Sequence, residues 1–137
     1  MIGVTHVMNV TKRINCPEFT TKDTSTIREL MAPANSLICR QSLAEAALPP
    51  GASTLAHRHP ETEEIYYILS GSGEMAIEDE IQSVQPGDSI GILPGQRHQI
   101  RNNGATTLVF LCCCVPAYTH ADTVECDALL DPVLHIE

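Results

Sequence analysis

The residues best equipped for chemistry lie in one stretch, Gly51-Ala52-Ser53-Thr54-Leu55-Ala56-His57-Arg58-His59-Pro60-Glu61-Thr62-Glu63-Glu64. On an extended strand side chains repeat every two residues, so His57 and His59 share a face while Arg58 turns away. Two imidazoles on one face can converge on a metal ion. Glu64 opens the next apolar run and can bring a carboxylate oxygen to the same point. His98, shortly after Pro94-Gly95, can supply a third imidazole from a neighbouring strand. Three nitrogens and one oxygen suit manganese, iron, cobalt, nickel, copper or zinc, with one or two positions left for water or a ligand. A lone His-x-His on a surface strand would be solvated and bind nothing, so the surrounding elements decide whether this set is a site.

Those elements read as β-structure. Turn residues recur about every ten positions between short alternating or apolar runs, the pattern of an all-β sandwich or barrel. An extended run over residues 36–46 ends at Pro49-Pro50-Gly51, and a strand over 64–69 stops at Ser70-Gly71-Ser72-Gly73. Met75 and Ile77 alternate with polar or small neighbours, and Asp79-Glu80 turns the chain back through Ile81 and Val84. Further strands are expected over 89–93, 98–101 and 107–115, with Asn102-Asn103-Gly104 as a hairpin turn. A helical turn or two fits only residues 123–130, before Pro132. No internal repeat or linker divides the chain. The organisation is one domain: a segment 1–35 packing strands on the barrel or across a dimer, a core 36–115, and a tail 116–137.

The glycines and histidines together resemble the two cupin motifs. Gly51, His57, His59, Glu64 and Gly71 meet the first: glycine, five residues, H-x-H, four residues, glutamate, six residues, glycine. After 15 intervening residues (72–86), Gly87, Gly95, His98 and Asn102 meet the second. The one departure is Leu93 where the family has proline, with Pro94 immediately after it. The resemblance implies an RmlC-like jelly roll, a double-stranded β-barrel, with His57, His59, Glu64 and His98 on one divalent metal. Glu63 fits the family's shorter spacing, but Ser70 would then take the glycine position. A cupin site of this composition resembles the manganese or iron members more than the three-histidine thiol dioxygenases. The resemblance also implies a homodimer.

Parity from Glu64 turns Tyr66 and Ile68 toward the metal and Tyr67 outward. Tyr66 is therefore a candidate for touching substrate, as is whichever of Arg40 or Gln41 faces inward. An inward Arg40 would favour an anion, Gln41 a neutral polar molecule. Glu61 and Glu63 flank the ligands in an acidic loop. Asn102 is expected to organise the next turn. His6, His120 and His135 have no motif around them, although the segment carrying Tyr118 and His120 could fold over the barrel mouth.

Composition narrows the partners. The chain has 137 residues, 43% of them hydrophobic, and 8 Lys plus Arg against 17 Asp plus Glu, a formal charge of −9. A core of this size needs no disulfide staples, and the negative charge repels nucleic acid and anionic membranes. The longest apolar run, Leu108–Val115, is far short of the ~20 residues of a membrane helix. No basic start precedes a long apolar stretch, so a cytoplasmic protein with reduced thiols is expected. Cys112-Cys113-Cys114 then read as small hydrophobes on a buried strand, at most two of them on the metal side. Function follows from the site: a metal-dependent enzyme acting on a small oxygenated molecule, or a module that captures a sugar-like ligand without turnover. Manganese, iron, nickel and zinc all remain open, as does the substrate. A metal-free barrel is the third alternative.

Overall fold

The run Glu63–Ser70 (β5) shows how the chain is organised: every second residue from Thr62 to Ile68 is buried and the residues between are exposed. Such a strand can bury only one face, so it needs a second sheet opposite. The computed structural model, described over residues 8–132, supplies it. Around β5, Glu18–Thr20 (β1), Thr26–Met31 (β2), Ser42–Leu48 (β3), Ser89–Ile92 (β8) and Leu108–Val115 (β10) form a six-stranded sheet in the order β1-β2-β3-β10-β5-β8. His57–Arg58 (β4), Gly73–Ile77 (β6), Glu80–Val84 (β7), His98–Asn102 (β9) and Val124–Glu125 (β11) form the other, in the order β11-β4-β9-β6-β7. All pairings are antiparallel, and the architecture is an all-β jelly roll. The two inner faces meet in a core that includes Leu48, Ile68, Met75, Ile92, Ile100, Leu108 and Phe110.

Gly71, between β5 and β6, shows why one motif position admits no side chain. Its φ is +81°, and a Cβ there would stand 2.6 Å from the Thr107 carbonyl oxygen and 2.8 Å from the Leu108 Cα. Backbone, not a pliable side chain, blocks the space. The end of β5 and the start of β10 can approach this closely only at glycine.

Three expectations are corrected. Residues 123–130 form no helix; a short 3-10 turn occupies His120–Asp122, and β11 pairs with β4. A two-turn helix is marginal alone, whereas pairing with β4 satisfies the backbone. Asn102-Asn103-Gly104 is not a hairpin turn, because β9 and β10 belong to different sheets. The Asn102 side chain instead donates to the Leu48 and Thr106 carbonyls and accepts from Gly104 N, guiding the chain across. The run over 36–46 becomes a strand only at Ser42. Before it, Asn35 and Ser36 bond back to Ala32 through their side chains, which competes with extended pairing. The segment before residue 36 is continuous with the sheet through β2, which pairs with β3. His6 and His135 lie outside the described residues.

Candidate metal centre

Four side chains converge at one end of the interior. β4 and the residue after its partner Arg58 deliver His57 and His59, β5 delivers Glu64, and β9 delivers His98, which pairs directly with His57. The Gly95 turn is tied to this strand pair: its N–H donates to the His59 carbonyl at 2.8 Å, and its φ of +81° allows the reversal that carries His98 inward. All four side chains are buried. One ring nitrogen from each of His57, His59 and His98 lies within 4.8 Å of the other two, a spacing one ion can bridge. Glu64 Oε1 stands 3.5 Å from both His59 Nε2 and His98 Nε2.

The shell behind the imidazoles determines which nitrogen faces the centre. His57 Nδ1 donates to the Leu55 carbonyl at 2.7 Å, His59 Nδ1 to the Asp122 carbonyl at 3.0 Å, and His98 Nδ1 to the Gln96 carbonyl at 3.0 Å. A carbonyl only accepts, so each Nδ1 carries the proton and each neutral ring turns its Nε2 lone pair inward. His98 Nε2 and Glu64 Oε1 are buried without a hydrogen-bond partner. Leaving such atoms unpaired is costly, and a cation between them would satisfy both. The donor set thus fits a divalent transition metal. Burial, with His98 beside it, pushes His57 down to about 4. His59 goes the other way: burial lowers it, but the Glu64 carboxylate and the Asp122 carbonyl raise it further. Burial also opposes ionisation of Glu64, yet the imidazoles of His59 and His98, each 3.5 Å from Oε1, hold its carboxyl well below the usual range.

The family profile of the cupin domain matches residues 44–114, more than half of the chain and all four converging residues. This chain is a cupin. It is 49% identical to an uncharacterized protein of Methanocaldococcus jannaschii over 105 residues, 77% of this chain and 84% of that one. It is also 40% identical to an oxalate-binding protein of Thermotoga maritima over 68 residues, half of this chain and 56% of the relative. Among solved structures, a Streptomyces Pac13 variant with uridine superposes with a TM-score of 0.70 over 92% of both chains at 13% identity, a likeness of fold.

Beside the cupin's histidines lies a cavity of about 40 Å³, enough for a few waters or a small ligand. Tyr66 lines it as parity predicts, its ring 6.0 Å from that of His98 and 4.7 Å from that of Phe110. Glu63 is exposed, whereas Glu64 is buried beside His59 and His98; Glu61 is exposed as well. Arg40 and Gln41 do not meet the expectation that one of them faces inward. Both are exposed ahead of β3, whose cavity-facing residues are Ser42, Ala44 and Ala46. The inward-facing positions begin at Ser42, where the strand itself begins. Tyr118 lines the cavity, its ring 6.0 Å from that of His59, whereas His120 is exposed.

Three contributors escape the sequence reading. The Cys114 thiol donates to Glu64 Oε2 at 3.1 Å, and Asp122 orients His59 through its carbonyl. Asp23, in the turn between β1 and β2, points Oδ2 at His57 Nε2, 3.6 Å away. Inward parity on β10 could have singled out Cys114. Nothing local marks Asp23 or Asp122, which reach the site only through sheet pairing. Among the described residues no helix is long and apolar enough to cross a membrane.

Proposed function

We propose that this cupin holds one divalent transition metal, manganese, iron, nickel or zinc, on His57, His59, Glu64 and His98, and acts on a small oxygenated molecule. The observation that carries this reading is the facing pair of unpartnered buried atoms, His98 Nε2 and Glu64 Oε1, inside a set of imidazoles already oriented from behind. A metal bound there supplies Lewis acidity toward ligand oxygens or, if iron, dioxygen chemistry. The chain's own part is to fix the Nε2 lone pairs, keep Glu64 ionised, and exclude bulk water with Tyr66 and Tyr118. The uridine complex of the fold relative and the oxalate-binding relative support a small molecule as ligand.

Capture without turnover is the second reading, and one observation favours it. Burial drives Tyr66, Cys112 and Cys114 up, so these lining groups stay protonated and serve poorly as bases. Recovering a bound ligand unchanged after long incubation supports capture; a new product supports catalysis. The proposed homodimer is supported by the outer face of the larger sheet, where Ile65, Tyr67 and Leu69 of β5 stand exposed. Sedimentation at twice the 14.9 kDa chain mass is the expected result.

The metal centre is tested by elemental analysis of untagged protein beside the His57→Ala/His59→Ala variant. The expected outcome is about one equivalent of metal in the parent and none in the folded variant. No metal in either, even after reconstitution, sinks the reading; loss of fold with the metal would make the site structural.

A further inference from the structure

The cavity beside the metal ligands is lined by three carboxylates, Asp23, Glu29 and Glu64, and no lysine or arginine among the described residues lines it. The basic side chains next to these carboxylates in sequence, Lys22 and Arg28, are engaged elsewhere. Lys22 donates to the Thr123 carbonyl, and Arg28, on the opposite face of β2 from Glu29, bonds to the Cys16 carbonyl and Glu18. The three carboxylates outweigh one divalent cation by a full charge.

Asp23 is the most firmly placed of the two that are not in the cupin motif. Its Oδ1 accepts from the Ser25 amide at 2.9 Å, the Ser25 hydroxyl at 2.6 Å and the Thr21 hydroxyl. Its carbonyl accepts from Leu55 N at 2.7 Å, tying the turn to the strand that carries His57. With Oδ1 saturated, Oδ2 is left facing His57 Nε2 at the mouth side of the centre. A negative charge held there interacts through a poorly screened space with whatever binds next to the metal.

We propose that Asp23, assisted by Glu29, makes this site select neutral or cationic chelating molecules and disfavour dicarboxylates. The inference rests on the metal reading above, and it departs from what the oxalate-binding relative would suggest for this chain. A dianion would enter a space whose fixed charge remains negative after the metal is counted, whereas a neutral diol, hydroxy-ketone or amide meets no such opposition.

The test uses three isosteric probes that differ in charge, namely oxalate, oxamate and oxamide. Each is titrated near neutral pH into cobalt-loaded protein while the visible spectrum of the metal is followed. Intrinsic preferences of the metal cancel when each probe is compared between the parent, Asp23→Asn and Glu29→Gln. Asp23→Asn keeps the Oδ1 acceptor and removes the charge. Oxalate affinity is expected to rise about tenfold or more in Asp23→Asn, oxamate about threefold, and oxamide less than about twofold. Glu29→Gln, which leaves the turn and the ligands intact, should give the same ordering and carries the test should Asp23→Asn lose its fold or its metal. Equal changes for all three probes, or an unchanged oxalate affinity in both variants, would overturn the proposal. Cobalt content is measured in each sample: a parent protein that takes up no metal overturns the metal reading as well, whereas a loaded protein indifferent to charge overturns only this inference.

Discussion

The two ends of the barrel interior share strands but not duties. At the closed end Ile68, Ile100, Leu108 and Phe110 are almost completely shielded from solvent. At the mouth, inward positions of the same strands carry Glu64 on β5, His98 on β9, and Cys112 and Cys114 on β10. Alternation makes both sets inward, since side chains two or four residues apart lie on one face. Residue type then separates them. One end buries apolar area and contributes stability. The other gathers polar atoms that are costly to bury and useful only when something binds between them.

Truncating the closed end should give the largest effect. Phe110→Ala removes a fully buried ring and is expected to cost about 3–5 kcal/mol in urea denaturation, with the metal equivalent per folded chain unchanged. Loss of metal from folded Phe110→Ala would show that the two ends are coupled and break the comparison.

A pH series sharpens it. His57 has a folded value of about 4 against 6.5 for the free side chain. Between those values the unfolded chain takes up a proton that the folded chain refuses, so the stability present above 6.5 declines as pH falls toward 4. His59, raised from 6.5, acts with the opposite sign: the folded chain holds its proton more tightly, so its contribution is present below 6.5 and is lost as pH rises. His57 alone should therefore cost metal-free protein about 3 kcal/mol between pH 6.5 and 4, and Glu64, held low in the folded chain, adds to the loss at the acid end. His57→Gln should flatten the slope, and Phe110→Ala should shift the whole curve without changing it. An unaltered slope in His57→Gln would assign the pH dependence to another group.

The smallest expected effect is the most local. Cys114→Ala removes the thiol that donates to Glu64 Oε2, and metal affinity should fall about tenfold at a stability cost near 1 kcal/mol. Cys114→Ser retains a donor and should restore the affinity. Failure of serine to do so would reduce Cys114 to packing.

Much of this site was legible in the chain itself. His57 and His59 are two apart, Glu64 begins an alternating strand, and Gly95 precedes His98 by three residues; each is a local relation. The choice between Glu63 and Glu64 followed from the family spacing, and Glu64 is the buried one of the two. Arg40 and Gln41 were misread because side-chain hydrogen bonds around Ala32 delay the start of β3, which extended-run patterning does not register. The Asn-Gly turn was misread for a related reason: the same residues serve a hairpin or a crossing between sheets, and the difference lies in what the flanking strands pair with.

By itself the sequence determined most of the strand periodicity, most of the turn positions and the four residues that converge, because side-chain direction and turn chemistry are set within a few residues. Only the tertiary structure decided that Asp23, Asp122 and Cys114 complete the surroundings, and that among the described residues no lysine or arginine lines the cavity. Those facts depend on β2 pairing with β3, β11 with β4, and β10 with β5. Such pairings join segments tens of residues apart, and their selection rests on burying shared apolar faces, a property of the assembled sheets and of no segment alone.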